Sequence, residues 1–135
     1  FDTMLVLLPF EPPYFEKEGL PCHFVGHPIV AEQESLAGNA AMFRAEHGIL
    51  PGAPVLALLP GSRPGEIARH LPIFRETVER LLLHFPQLTA VMIVPPNQKA
   101  FVEAEIFGWP GRLILVADLD AKKHALAAST LALCK

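Results

Sequence analysis

Between an apolar run and a segment of helical period, the stretch Leu-Leu-Pro-Gly-Ser-Arg-Pro-Gly-Glu-Ile, residues 58–67, gathers a glycine, a hydroxyl, a guanidinium and a carboxylate. Gly61 permits a sharp turn and lets another group approach the backbone without a Cβ in the way. Pro64 suits the first position of a helix, because it lacks an amide hydrogen that a helix start cannot use internally. Glu66 then falls in the first turn, where a carboxylate favours the positive end of the helix dipole. Free amides at such an end attract anions, and Arg63 adds a permanent charge whose planar fork matches phosphate oxygens. The chemistry implied is phosphate binding by Gly61, Ser62, Arg63 and Glu66. A second reading uses the same residues: a tight turn with Ser62 or Arg63 capping the helix and Arg63 paired to Glu66 on the surface. The spacing is neither a Walker loop nor a Gly-x-Gly-x-x-Gly fingerprint, and by itself leaves both readings open.

Other chemistry-bearing residues are more scattered. His27, between Gly26 and Pro28, is a candidate acid or base in a cleft, or else the ordinary occupant of a turn at a strand end. The six histidines are read as forming no metal site. Cys22 and Cys134 fit no Cys-x-x-Cys pattern and are read as buried thiols in a reducing compartment, not as a disulfide. Phe10, Tyr14 and Phe15 are either an apolar lip for a lipid or core residues.

The elements that must position these residues follow from periodicity. At 135 residues there is room for one core or parts of two. Apolar residues are 51% and charged residues 19%, which suits strands buried on both faces. A net charge of −3 with no cationic cluster beyond Lys122-Lys123 argues against nucleic acid as a partner. The longest apolar runs, 4–10 and 88–96, fall short of the roughly 18 residues a membrane span needs. Apolar runs predict strands over 4–8, 22–26, 55–59, 89–94, 112–116 and 130–133. Helices are expected over 14–18, 37–47, 97–107 and 121–128, with a longer one whose apolar face is Leu71, Phe74, Val78, Leu81, Leu82 and Phe85. Pro72 should kink or restart that helix. Alternation of this kind implies an α/β fold with a parallel, Rossmann-like sheet in which the strand after Pro54 is central and Gly61 to Arg63 stand at its carboxyl end. A domain boundary is expected near 28–36.

Two segments then carry a resemblance. Leu8 to Glu11, Gly19 to Pro21 and Phe24 to Pro28, followed by Leu59 to Glu66, resemble the Leu-Pro-Phe-Glu, Gly-x-Pro, Phe-Val-Gly-His-Pro and Leu-Pro-Gly-Ser-Arg-x-x-Glu motifs of the lipid-A-disaccharide synthase family. The resemblance implies a fragment of a two-domain glycosyltransferase of the B type. Residues 1–28 would end the first, acceptor-side domain, 29–54 would be crossover and linker, and 55–135 would begin the nucleotide-sugar-binding domain. It implies transfer from UDP-2,3-diacylglucosamine to 2,3-diacylglucosamine 1-phosphate, without metal or cofactor, by an enzyme held peripherally at the cytoplasmic face of the inner membrane. Arg63 would be catalytic, stabilising the departing diphosphate, with Gly61, Ser62, Arg63 and Glu66 binding substrate. The family's aspartate after His-Pro is missing, since Ala31-Glu32 stands in that region. The general base is expected outside residues 1–135, and the chain alone is expected to be inactive. The competing readings are another B-type glycosyltransferase or nucleotide-sugar epimerase, and a non-catalytic α/β binding module.

Overall fold

The computed structural model describes residues 1–30 and 37–135, within two compact units, Phe1–Leu36 and Ala37–Lys135. Ala31 and Glu32 lie outside the described residues.

The first unit is a strand-helix-strand piece: β1 (Met4–Val6), α1 (Pro12–Glu16) and β2 (Cys22–Phe24), then a 3-10 turn at Pro28–Val30. β1 and β2 pair in parallel, Met4 opposite Cys22 and Val6 opposite Phe24. Prolines at the first positions of α1 set its backbone angles without wasting an amide. The Glu11 carboxylate accepts the Leu8 amide at 2.8 Å, which closes the turn after β1. Val6 and Cys22 are buried. Burial and the nearby Glu16 and Glu11 carboxylates push the Cys22 thiol above its ordinary pKa. Phe10 and Tyr14 are exposed, so neither is a core residue of this unit.

The second unit holds α2 (Ala40–Glu46), β3 (Val55–Leu59), α3 (Pro64–Leu82), β4 (Thr89–Ile93), α4 (Lys99–Glu105), β5 (Arg112–Val116), α5 (Leu119–Ala128) and β6 (Leu131–Cys134). Its sheet runs β5-β4-β3-β6 with every pairing parallel, so β3 is interior as its continuous apolar run requires. Alternation along the strands feeds two cores. Leu56, Leu58, Ala90 and Met92 meet Ile67, Leu71, Phe74 and Val78 of α3 and Val102 of α4. Val55, Ala57, Val91 and Ile93 face the other way, onto Phe43 of α2 and Ala125 and Ala128 of α5. Residues 37–54, within the segment suggested as crossover and linker, thus contribute Phe43, Ile49 and Ala53 to this second core.

Arginines tie helix ends to the frame by donating to carbonyls that lack intrahelical partners. Arg44 reaches Ala53 O at 3.0 Å and Ala128 O at 3.1 Å. Arg112 reaches Gly48 O at 3.2 Å and also the His47 carbonyl. Arg75 donates to Gly108 O at 2.7 Å and Phe107 O at 3.0 Å, with its guanidinium 5.2 Å from the centre of the Trp109 ring. The Trp109 Nε1 is buried without a hydrogen-bond partner among the described residues.

The structure differs from sequence expectation in three places. α3 starts at Pro64 and runs without interruption through Pro72, which sits on its exposed side where water can serve the freed Ala68 carbonyl. It stops at Leu82, so Phe85 falls beyond the helix and is exposed. Cys134 is exposed as well, on β6, whose one paired strand among the described residues is β3. His23 and His27 stand four residues apart, His23 on β2 and His27 in the turn after it, so they do not share a helix face. Both cysteines are free thiols.

Gly38 shows how closely the start of α2 meets α5. A Cβ there would lie 2.0 Å from the Lys123 carbonyl oxygen and 2.7 Å from the Ala127 Cβ. Gly38→Ala should therefore destabilise the unit by about 1–3 kcal/mol, as overpacking does. Gly65→Ala meets nothing within 4 Å and should be neutral to stabilising, by up to about 1 kcal/mol. Thermal melts of the two variants check the contrast.

Candidate functional site

In a parallel sheet every strand-to-helix turn falls at the same edge, so the groups those turns carry converge. Here the turns after β3, β4 and β5 and the end of β6 surround a cleft of about 510 Å³. Gly61 and Ser62 form one wall, Pro95 and Pro96 another, and Asp118, Lys122 and Lys135 bring charge to it. Asp118 caps α5, accepting the Asp120 and Ala121 amides at 2.9 Å each. Those two bonds hold its carboxyl below the usual carboxylate range.

The turn after β3 is organised around Glu66. Its Oε2 accepts the Ser62 amide at 3.1 Å and the Arg63 amide at 3.4 Å. Its Oε1 accepts the Arg63 guanidinium at 3.1 Å and the Lys135 ammonium at 2.9 Å. The amides that the sequence suggests as an anion pocket are thus held by an anion of the chain itself. Arg63 occupies the N-cap position with extended backbone and no side-chain cap, followed by Pro64 at the first helical position. Its side chain is 79% exposed against 20% for Glu66, so the carboxylate is the inner partner and the guanidinium the outer one.

Gly61 makes room for this arrangement. Its φ of +125° lies in the region that favours glycine, and a Cβ would sit 2.7 Å from Glu66 Oε2. His70, one turn along α3, places Nδ1 3.0 Å from Pro60 O and 2.8 Å from Glu66 O. As a donor it clips the turn to the helix.

Sequence reasoning brought Gly61, Ser62, Arg63 and Glu66 to one place; the structure has the first three in the turn after β3 and Glu66 in the first turn of α3 beside them, with Gly61 and Ser62 lining the cleft. It missed Lys135 and His70. Lys135 is 69 positions from Glu66, and only the pairing of β6 beside β3 reveals their contact. His70 stands four residues after Glu66 on α3, a spacing that could have marked it. His27 is part of a turn, its Nδ1 accepting the Ile29 amide at 3.1 Å.

A sheet with all strands parallel, covered by helices on both faces and cleft at the carboxyl ends of its strands, defines a doubly wound α/β domain of the kind that takes its ligand at that edge. The chain belongs to the lipid-A-disaccharide synthetase family, whose model matches residues 1–135. Among its relatives are lipid-A-disaccharide synthases of Rhodospirillum centenum, 49% identical over 98% of this chain, and of Ruegeria pomeroyi, 44% identical over 98%. That of Granulibacter bethesdensis is 38% identical over the whole chain. The chain spans about a third of the length of these relatives: 33%, 35% and 34%.

The four donors around Glu66 make its proton affinity a measurable property. Its pKa is lowered from 4.5 to about 2, chiefly by the Lys135 hydrogen bond and then by the Ser62 amide. The folded state binds this proton less tightly than the unfolded chain does, so stability rises with pH through this range. The contribution is complete above about pH 4.5 and disappears as pH falls to about 2. Glu66→Gln should be less stable than the parent at pH 7, and the gap should close between those two pH values in acid-dependent denaturation curves. Gly61→Ala should lose the same pH dependence, because its Cβ displaces the carboxylate.

Proposed function

We propose that this chain forms part of a lipid-A-disaccharide synthase, a glycosyltransferase of the B type, and that the Ala37–Lys135 unit is the side that binds the nucleotide sugar. Residues 1–28 then end the acceptor-side domain, and the crossover expected over 29–54 is confined to the part before Ala37, since Phe43, Ile49 and Ala53 belong to the core of the second unit. Transfer runs from UDP-2,3-diacylglucosamine to 2,3-diacylglucosamine 1-phosphate. The acceptor 6-hydroxyl forms a bond to the anomeric carbon, the bond from that carbon to the diphosphate breaks, and UDP leaves with the electron pair. The hydroxyl proton goes to a general base supplied outside residues 1–135. The products are lipid A disaccharide 1-phosphate and UDP.

The observation that carries this reading is the turn after β3, whose Gly61 and Ser62 line the cleft and whose next residue, Arg63, has a largely exposed side chain. Charge accumulates on the diphosphate as the glycosidic bond breaks, and a fixed guanidinium at that spot stabilises the transition state more than the ground state. Arg63 suits the task because its side chain is largely exposed and tethered at one nitrogen only, leaving the rest of the fork for phosphate oxygens. Both substrates carry acyl chains, which supports peripheral attachment at the cytoplasmic face of the inner membrane. No helix among the described residues is long and apolar enough to cross a membrane.

Steady-state kinetics of the full-length enzyme with these two substrates tests the assignment. Arg63→Ala should lower kcat by about 10²-fold or more, as loss of one oxyanion donor does. Arg63→Lys should recover part of that, since a point charge cannot reproduce the planar fork. If Arg63 served only as a surface partner of Glu66, the variant would lose at most about 1 kcal/mol of stability and keep its turnover. Unchanged kcat with a lowered Tm would overturn the catalytic role.

A further inference from the structure

Lys135 is the cation that no motif identified, and it lines the same cleft as Ser62 and Asp118. Its position is fixed twice. The backbone amide donates to Leu59 O at 3.2 Å, continuing the β3–β6 ladder. The ammonium, 2.9 Å from Glu66 Oε1, shares that oxygen with Arg63, which is 3.1 Å away. One carboxylate therefore holds the guanidinium of Arg63 and the ammonium of Lys135 at the same oxygen, with Lys135 on the cleft wall. A lone carboxylate balances only one of the two positive charges, so the cluster keeps a net charge of about +1 for an incoming anion. Lys122, also on the cleft wall, makes no ion pair among the described residues, and its charge offsets that of Asp118, which lines the same cleft.

We propose that Lys135 is a second cation for the diphosphate of the donor, acting beside Arg63, and that Glu66 is a positioning residue that holds both without itself touching substrate. The proposal rests on the functional reading above and adds two roles to it. Glu66 is built in as a fixed part. Gly61 is shaped around it, and His70 clips the loop it closes to α3. A carboxylate that was merely waiting to be displaced by phosphate would need no such seat.

The test is calorimetric binding of UDP and of uridine to the full-length enzyme, with kcat and Tm measured on the same preparations. Lys135→Ala should weaken UDP binding about tenfold, or about 1.4 kcal/mol, and leave uridine binding unchanged, with no more than the small fall in Tm that loss of its Glu66 contact brings, while Lys135→Arg should restore UDP affinity. Glu66→Gln should also weaken UDP binding and lower kcat. In an Arg63→Ala/Lys135→Ala background the same change should have no further effect on kcat, because the groups it positions are gone. Equal losses for UDP and uridine, together with a lowered Tm, would make Lys135 structural and overturn the proposal. Tighter UDP binding by Glu66→Gln would show that the carboxylate competes with phosphate, and would overturn its positioning role. If the parent enzyme bound no UDP, the functional reading itself would fall. If it bound UDP and made disaccharide while Lys135→Ala bound UDP equally well, only the present inference would.

Discussion

Burial of β3 and β4 on both faces is the constraint from which the second unit follows. Residues 55–58 and 89–93 are buried without exception, so neither side of these strands can face water. Helices must cover both sides, and that forces each strand to be followed by a crossover instead of a hairpin. Parallel order then sends every strand-to-helix turn to one edge. The cleft and its charged groups stand where they do because of an apolar requirement in strands that contain no charged residue.

Charge is used differently on the two ends of the helices. At several carboxyl ends, arginines donate to backbone carbonyls: Arg44 and Arg112 near α2, Arg75 after α4. At the amino ends facing the cleft, carboxylates receive amides: Glu66 at α3, Asp118 at α5. Both patterns compensate the orphan groups and dipole of a helix. Glu66 goes further by also gathering Arg63 and Lys135, so a local capping interaction acquires a partner from the far end of the sequence.

Much of this was legible from residue order, for reasons that can be traced. The strands at 55–59 and 112–116 appear with the bounds their apolar runs imply, since nothing competes with burial there. The Gly61–Glu66 cluster was legible because turn and helix-start chemistry are local. Edges were less legible. β1 ends at Val6 although the apolar run continues to Leu8, because the Glu11 carboxylate draws the Leu8 amide into a turn. The helix predicted over 97–107 is shorter, a 3-10 turn at Pro96–Gln98 leading into Lys99–Glu105. The reach of Lys135 depends on β6 pairing beside β3, a contact between distant segments that no local pattern encodes.

The lone tryptophan of the chain gives the molecule an optical property of its own. Trp109 lies just before β5, at the amino end of the strands, while the cleft is at their carboxyl ends. Its ring is lodged against the α3 and α4 layer with Arg75 over one face and its nitrogen shielded from solvent. Its ultraviolet emission therefore reports the integrity of one helical layer. Occupation of the cleft lined by Ser62 and Asp118 would leave that signal nearly silent, whereas separation of α3 from the sheet would expose the indole and move the emission toward the red.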